Sequence, residues 1–279
     1  MISWSKIKHW VVVILVILVY VPTFFWMKDK FLEEESNYSH GFLIPIISLF
    51  LIWKMKDKLK EIPITSSTKG LILLCAGLLI HLVSRCFLID FVSGCSLIIV
   101  IYGLCLYLLG VRMTKKLIFP ISFLIFMVPL PAVFTLALTF HMKMFATYWA
   151  TGVTNLIGIP AVMEGATIIL PNDFLEIGEP CSGIRSLITL LALSSLFAYF
   201  LSISYLKKII LFFATIPIAL LSNLVRIVFL TIVTYVYGQK AALEEPGHTI
   251  SGLLVYIVAL AGLGAVGKIL TWQKTEDRS

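Results

Sequence analysis

The sequence predicts an all-α polytopic membrane protein of about eight transmembrane helices in one bundle, with a short β-hairpin-like segment on the outer face. Three observations carry that expectation. Of 279 residues, 59% are hydrophobic and 13% charged, with a mean hydropathy of +1.01. A soluble domain carries about 25% charged residues, so soluble, nucleic-acid-binding and disordered classes are excluded. Apolar runs able to cross about 30 Å of hydrocarbon, roughly 20 residues apiece, recur along the whole chain. The segments between those runs alternate in charge. With no internal repeat, low-complexity tract or flexible linker, one integral membrane domain over 1–279 is the economical organisation.

The runs lie near 10–27, 41–53, 70–89, 91–109, 117–140, 183–201, 209–236 and 250–270. Lys6 and Lys8 precede the first in the manner of a signal peptide, but no small-residue cleavage site follows, which predicts a retained helix. The second is short enough to be re-entrant on length alone. Counting it as a crossing puts the N-terminus, 54–69, 110–116, 202–208 and the C-terminal tail on one side, with 15 of the 22 basic residues and 4 of the 15 acidic ones. The other side then holds six basic and eleven acidic residues. By the positive-inside rule the first side is cytoplasmic, giving a multi-pass protein of the cytoplasmic (inner) membrane with both termini inside. The longest outer connection is 141–182. Its first part, 145–159, predicts a short ninth helix at the interface. The β-prone runs 161–170 and 174–177 flank Pro171-Asn172-Asp173, which predicts a small hairpin just before Cys181.

A charge inside a span costs about 2.5 to 3.5 kcal/mol on insertion scales, so each needs a reason. Arg226 is the basic residue well inside a run, and eighteen residues from Lys208 at about 1.5 Å each place it roughly 27 Å up, near the outer surface. It is either a snorkelling or internally paired arginine, or an anion clamp. Cys181 stands in Glu179-Pro180-Cys181-Ser182-Gly183-Ile184-Arg185-Ser186. At a helix entry, with Arg185 four residues on, its thiol is expected to be exposed and acidified, although a structural cysteine fits the same position. His248 opens the last run on the same outer side. A thiol, an imidazole and a guanidinium from three segments at one depth are the parts of a cysteine acyl-transfer site facing the periplasm or exterior. His40 is either a second base or a structural hydrogen-bonder, and His81 and His141 are read as structural. Five cysteines without CxxC or Cys/His spacing predict no metal site, and no cofactor is expected. Cys86 and Cys95 flank an outer turn, where either a disulfide or free thiols fit.

These residues resemble the exosortase/archaeosortase family of multi-span cysteine transpeptidases. The resemblance rests on Tyr38-Ser39-His40-Gly41 with the following Leu-Ile-Pro and Trp53, on Glu179 to Ser186, on Asn223-Leu224-Val225-Arg226, and on His248. It implies Cys181 as nucleophile, Arg226 as oxyanion support and His248 as general acid/base, with Arg185, His40, Asn223, Ser182 and Glu179 as supporting or substrate-binding residues. It further implies exported protein substrates ending in a short motif such as Pro-Glu-Pro, a transmembrane helix and a basic tail. The new C-terminus would pass to a surface acceptor linked to exopolysaccharide. Membrane lipid is the other expected partner, and nucleic acid is not one. The competing reading is a non-enzymatic transporter or polysaccharide-assembly subunit in which Arg226 and Arg185 bind an anionic substrate.

Overall fold

A computed structural model describes residues 4–33, 36–178 and 181–276. The chain divides into two compact units, Met1–Pro131 and Ala132–Ser279.

The first unit runs α1 (Trp4–Leu32), a 3-10 turn (Ser39–Phe42), α2 (Leu43–Lys54), α3 (Lys56–Lys60), α4 (Thr68–Cys86), α5 (Asp90–Leu108), α6 (Val111–Phe123) and a second 3-10 turn (Leu124–Met127). Helices α4 and α5 form a hairpin whose backbones touch at glycines. A Cβ on Gly70 would stand 2.1 Å from the Tyr107 nitrogen, and one on Gly103 2.5 Å from the Leu74 nitrogen. Such small-residue contacts drive helix association where lipid offers no hydrophobic force. Buried hydroxyls then tie α1 to this hairpin. Tyr20 Oη lies 2.7 Å from Ser96 Oγ, Thr23 Oγ1 2.6 Å from Ser93 Oγ, and His81 Nδ1 2.9 Å from that same Ser93 Oγ. His81, read from sequence as structural, is thus held within this buried hydroxyl cluster. Arg85 and Asp90 pair at the α4–α5 turn, and all five cysteines are free thiols, Cys86 and Cys95 included.

The second unit runs α7 (Ala132–Leu156), β1 (Val162–Glu164), β2 (Thr167–Ile169), β3 (Phe174–Glu176), α8 (Ile184–Phe200), α9 (Tyr205–Tyr237), α10 (Gln239–Leu243) and α11 (Gly247–Glu276). The 33-residue α9 is its axis and packs against α7, α8 and α11. The strands form an antiparallel sheet in the order β1-β2-β3, with Val162 opposite Ile169 and Ile168 opposite Leu175.

All eight expected runs are helical along most of their length, but not all reach the length of a membrane crossing. Among the described residues, five segments are long and apolar enough to cross a membrane: Val11–Leu32, Thr68–Cys86, Asp90–Leu108, Tyr205–Tyr237 and Thr249–Trp272. The runs at 41–53 and 183–201 fall in the shorter apolar helices Ser39–Lys54 and Ile184–Phe200. The run at 117–140 is not one helix, because the chain leaves helical geometry over 128–131. Pro129 and Pro131 lack the N–H that would continue the ladder, and each pushes its predecessor to extended backbone, as at Val128 with ψ 114°. Counting the helices on either side as one broken span gives six, short of eight. The ninth helix expected at 145–159 is the second half of the continuous 25-residue α7. The expected hairpin about Pro171-Asn172-Asp173 is β2–β3, and β1 extends it to three strands through a turn at Gly165, where φ is +60°.

Candidate active site

The sheet supports the segment that carries the cysteine. Ile168, Leu175 and Ile177 are fully or nearly fully buried, and they form one apolar cluster with Cys181, Ala146 and Ala150 of α7, Ile227 and Leu230 of α9, and Ala242 of α10. Asp173 fixes the far turn. Its main-chain carbonyl accepts from Leu170 N at 2.8 Å, and its Oδ2 accepts from Gln239 N at 2.6 Å at the start of α10.

Gly183 sets the direction in which α8 leaves Cys181. It adopts the left-handed conformation with φ +83° and caps α8, accepting on its carbonyl from Leu187 N and from Ser186 Oγ. A Cβ there would lie 2.8 Å from the Asn223 side chain. Only glycine allows both this backbone and this approach. Asn223 of α9, itself buried, uses the contact to donate from Nδ2 to the Cys181 carbonyl at 3.1 Å. Its Oδ1 is buried and makes no hydrogen bond among the described residues. Ser182 is buried and turned to the backbone, with its Oγ 3.5 Å from Ile184 N.

The Cys181 thiol is only 4% exposed, not the open thiol expected at a helix entry. Burial pushes its pKa above the ordinary thiol value. The Arg226 guanidinium, and after it Lys143 of α7, pull it down without reversing the shift. Desolvation of a charged sulfur outweighs the nearby cations here. The expected acidification therefore fails in net sign, and the cations responsible for the opposing pull are Arg226 and Lys143 rather than the anticipated Arg185. Arg185 is half-buried, with its Nε hydrogen-bonded to nothing among the described residues.

Arg226, 8% exposed, donates from Nε to Ser251 Oγ at 3.3 Å. Ser251 lies three residues after His248 in the first turns of α11. The His248 side chain and Glu179 lie outside the described residues. His40 belongs to the other unit, where its ring stacks on Tyr38 at 6.0 Å; Tyr38 Oη accepts from Leu130 N at 3.0 Å. Cys181, Asn223 and Arg226 thus come together within the second unit, with Ser182 next in the chain and Arg185 in the first turn of α8. Among the described residues no group of three or more His, Cys, Asp or Glu side chains is arranged to hold a metal ion.

A family model for transmembrane exosortases matches residues 4–265 of this chain. The chain belongs to the transmembrane exosortase family. No curated protein and no solved structure matches it. In this exosortase, three features of the site escape sequence reading. Lys143 lies 38 positions before the cysteine in an unremarkable helix. Ser251 gives no sign of facing Arg226. The pairing of Gly183 with Asn223 joins two motifs that appear in sequence only as separate runs. The helix spacing of Lys143, Ala146 and Ala150, which places all three along one face of α7, is the sequence signal that bears on the first.

Proposed function

We propose that this protein is a membrane-embedded cysteine transpeptidase or endopeptidase. It cleaves the C-terminal sorting signal of exported proteins, made of a short motif, a transmembrane helix and a basic tail, and passes the new C-terminus to an outer-surface acceptor. The observation that carries the reading is Cys181, buried at the α8 entry, with its carbonyl held by Asn223 and its sulfur under the influence of Arg226. Family membership supports it independently.

In this reading the resting cysteine is a neutral thiol, since burial dominates its acidity. His248 takes the thiol proton as the sulfur attacks the scissile carbonyl, and Arg226 holds the oxyanion that forms. The peptide C–N bond then breaks, the leaving amine takes the proton from His248, and a thioester remains on Cys181. Attack by an acceptor amine or by water releases the product and returns the proton to sulfur. Arg185, whose buried Nε makes no hydrogen bond among the described residues, receives the acidic residue of the substrate motif. The positive-inside pattern supports a site on the periplasmic or exterior side.

The test is co-expression with a protein carrying such a tail, followed by mass spectrometry of its C-terminus. The wild-type chain should yield a product truncated at the motif, and Cys181→Ala should yield only the intact tail. Correct processing by Cys181→Ala in a host without a second such enzyme would sink the cysteine mechanism and favour the transport or assembly reading.

A further inference from the structure

The first unit contains a half-open cavity of about 520 Å³ that the acyl-transfer reading leaves without a role. Its wall on α1 runs from Val13 to Phe31, and α5 closes it with Leu97, Ile101 and Leu104. Eighteen residues of helix at about 1.5 Å each make that wall roughly 27 Å long, most of the thickness of a bilayer core. The volume falls within the about 300 to 1,000 Å³ of ligand sites. The lining is apolar apart from Lys28, near the top of the α1 wall. Lys28 is exposed and makes no ion pair among the described residues, whereas its neighbour Lys30 is paired with Glu33. Gly41 stands at the same end. A Cβ there would come within 2.3 Å of the Phe31 ring, so only a glycine lets that ring approach the backbone at the head of the groove. This accounts for one residue of the Tyr38-Ser39-His40-Gly41 motif.

Size decides between the apolar partners a membrane offers. Even its whole void, about 1170 Å³ with the open mouth included, spread over that length has a mean cross-section of about 43 Å², whereas a helix about 10 Å across needs about 80 Å². A substrate's transmembrane helix is about twice too wide to enter it. A single extended hydrocarbon chain is narrow enough, and the lone lysine at the outer end supplies a counter-charge for an anionic group at the head of that chain.

We propose that the groove between α1 and α5 is a phospholipid-binding site, holding one acyl chain along Val13 to Phe31 and the lipid phosphate against Lys28. The site uses none of the acyl-transfer residues, so its test is independent of theirs. The full-length protein, purified in detergent and stripped of loosely held lipid, should retain one phospholipid per chain by native mass spectrometry. After exhaustive exchange, phosphatidylglycerol should rebind about fivefold more tightly than dioleoylglycerol, which offers similar chains without the phosphate. Lys28→Gln, at an exposed position, should erase that difference while leaving dioleoylglycerol binding unchanged. Ile101→Trp, which puts an indole in the groove, should lose both lipids. Equal affinity for the two lipids in the wild type, a preserved phosphate preference in Lys28→Gln, or full loading of a monodisperse Ile101→Trp protein would each overturn the proposal. Displacement of the lipid by a synthetic 20-residue apolar helix would assign the groove to a peptide and overturn it too. If Ile101→Trp does not fold, Lys28→Gln decides alone.

Discussion

At the scale of single residues, the proposed chemistry turns on a thiol whose surroundings oppose each other. Burial raises the pKa of Cys181, while Arg226 and Lys143 lower it. The thiolate fraction is therefore small at neutral pH and grows as pH rises through a value above the ordinary thiol one. With the other four cysteines replaced, iodoacetamide labelling of Cys181 should be slow near neutrality and accelerate with pH beyond that ordinary value. Arg226→Gln should move the labelling profile to higher pH, and Lys143→Gln should move it the same way by less. A profile that ignores both substitutions would remove the cations from the cysteine's environment. Arg226 has a second use under the proposed mechanism. Arg226→Lys keeps a charge but loses the planar fork of donors, so processing should fall by roughly 10² to 10³, as for loss of an oxyanion donor. Its level in the membrane should not change. Full processing by Arg226→Lys would leave a plain charge requirement in place of oxyanion alignment.

At the scale of elements, the α8 entry depends on one glycine, and a second glycine serves as its control. Gly183 and Gly165 both have positive φ, but a Cβ at Gly183 meets Asn223 at 2.8 Å whereas one at Gly165 meets nothing within 4 Å. Either substitution by alanine incurs left-handed strain of about 1 to 2 kcal/mol. Gly183→Ala should also push Asn223 off the Cys181 carbonyl and abolish processing, while Gly165→Ala should lower thermal stability and leave processing largely intact. Equal loss of processing in both would mean that strain alone, and not the Asn223 contact, governs the site. The same elements show what could be read in advance. The helices were legible because apolar runs of this length have one stable form in hydrocarbon. The β2–β3 hairpin was legible from Pro171-Asn172-Asp173, but β1 was not, since 161–170 reads as one β-prone run unless Gly165 is taken as its turn. The break at 128–131 was hidden because Val128, Leu130 and both prolines fit an apolar run in composition while breaking it in backbone. The acidity of Cys181 was misread for a different reason. Sequence shows the local helix entry, whereas burial comes from Ile168, Leu175, Ile227 and Leu230, which are distant or unmarked in the chain.

At the scale of the whole molecule, what the sequence offers is charge asymmetry, and what the helices offer is a count that stops short of it. Among the described residues, five helices satisfy the length of a crossing, six with the broken pair, and the short apolar helices Ser39–Lys54 and Ile184–Phe200 decide the rest. If both cross, the 15-to-6 split of basic residues puts 54–69, 110–116 and 202–208 in the cytoplasm and the sheet with Cys181 outside. If Ser39–Lys54 stays on the outer face, every later segment inverts, and the lysine-rich 54–69 stretch is left on the side where basic residues are disfavoured. A segment of this length can cross a locally thinned bilayer at a cost of fractions of a kcal/mol per Å of mismatch. Five lysines in the segment that follows it favour the crossing, because short loops carrying Lys and Arg are retained inside. Reporter fusions after Lys60, Lys116 and Lys208 should therefore read cytoplasmic, and a fusion after Asp173, in the β2–β3 turn, should read external. The Asp173 fusion is the decisive one. A cytoplasmic reading there would place the sheet, Cys181 and the Asn223 contact on the inner side, where an exported protein's cleavage motif is absent, and the proposed sorting reaction would have to be given up however well the site is built.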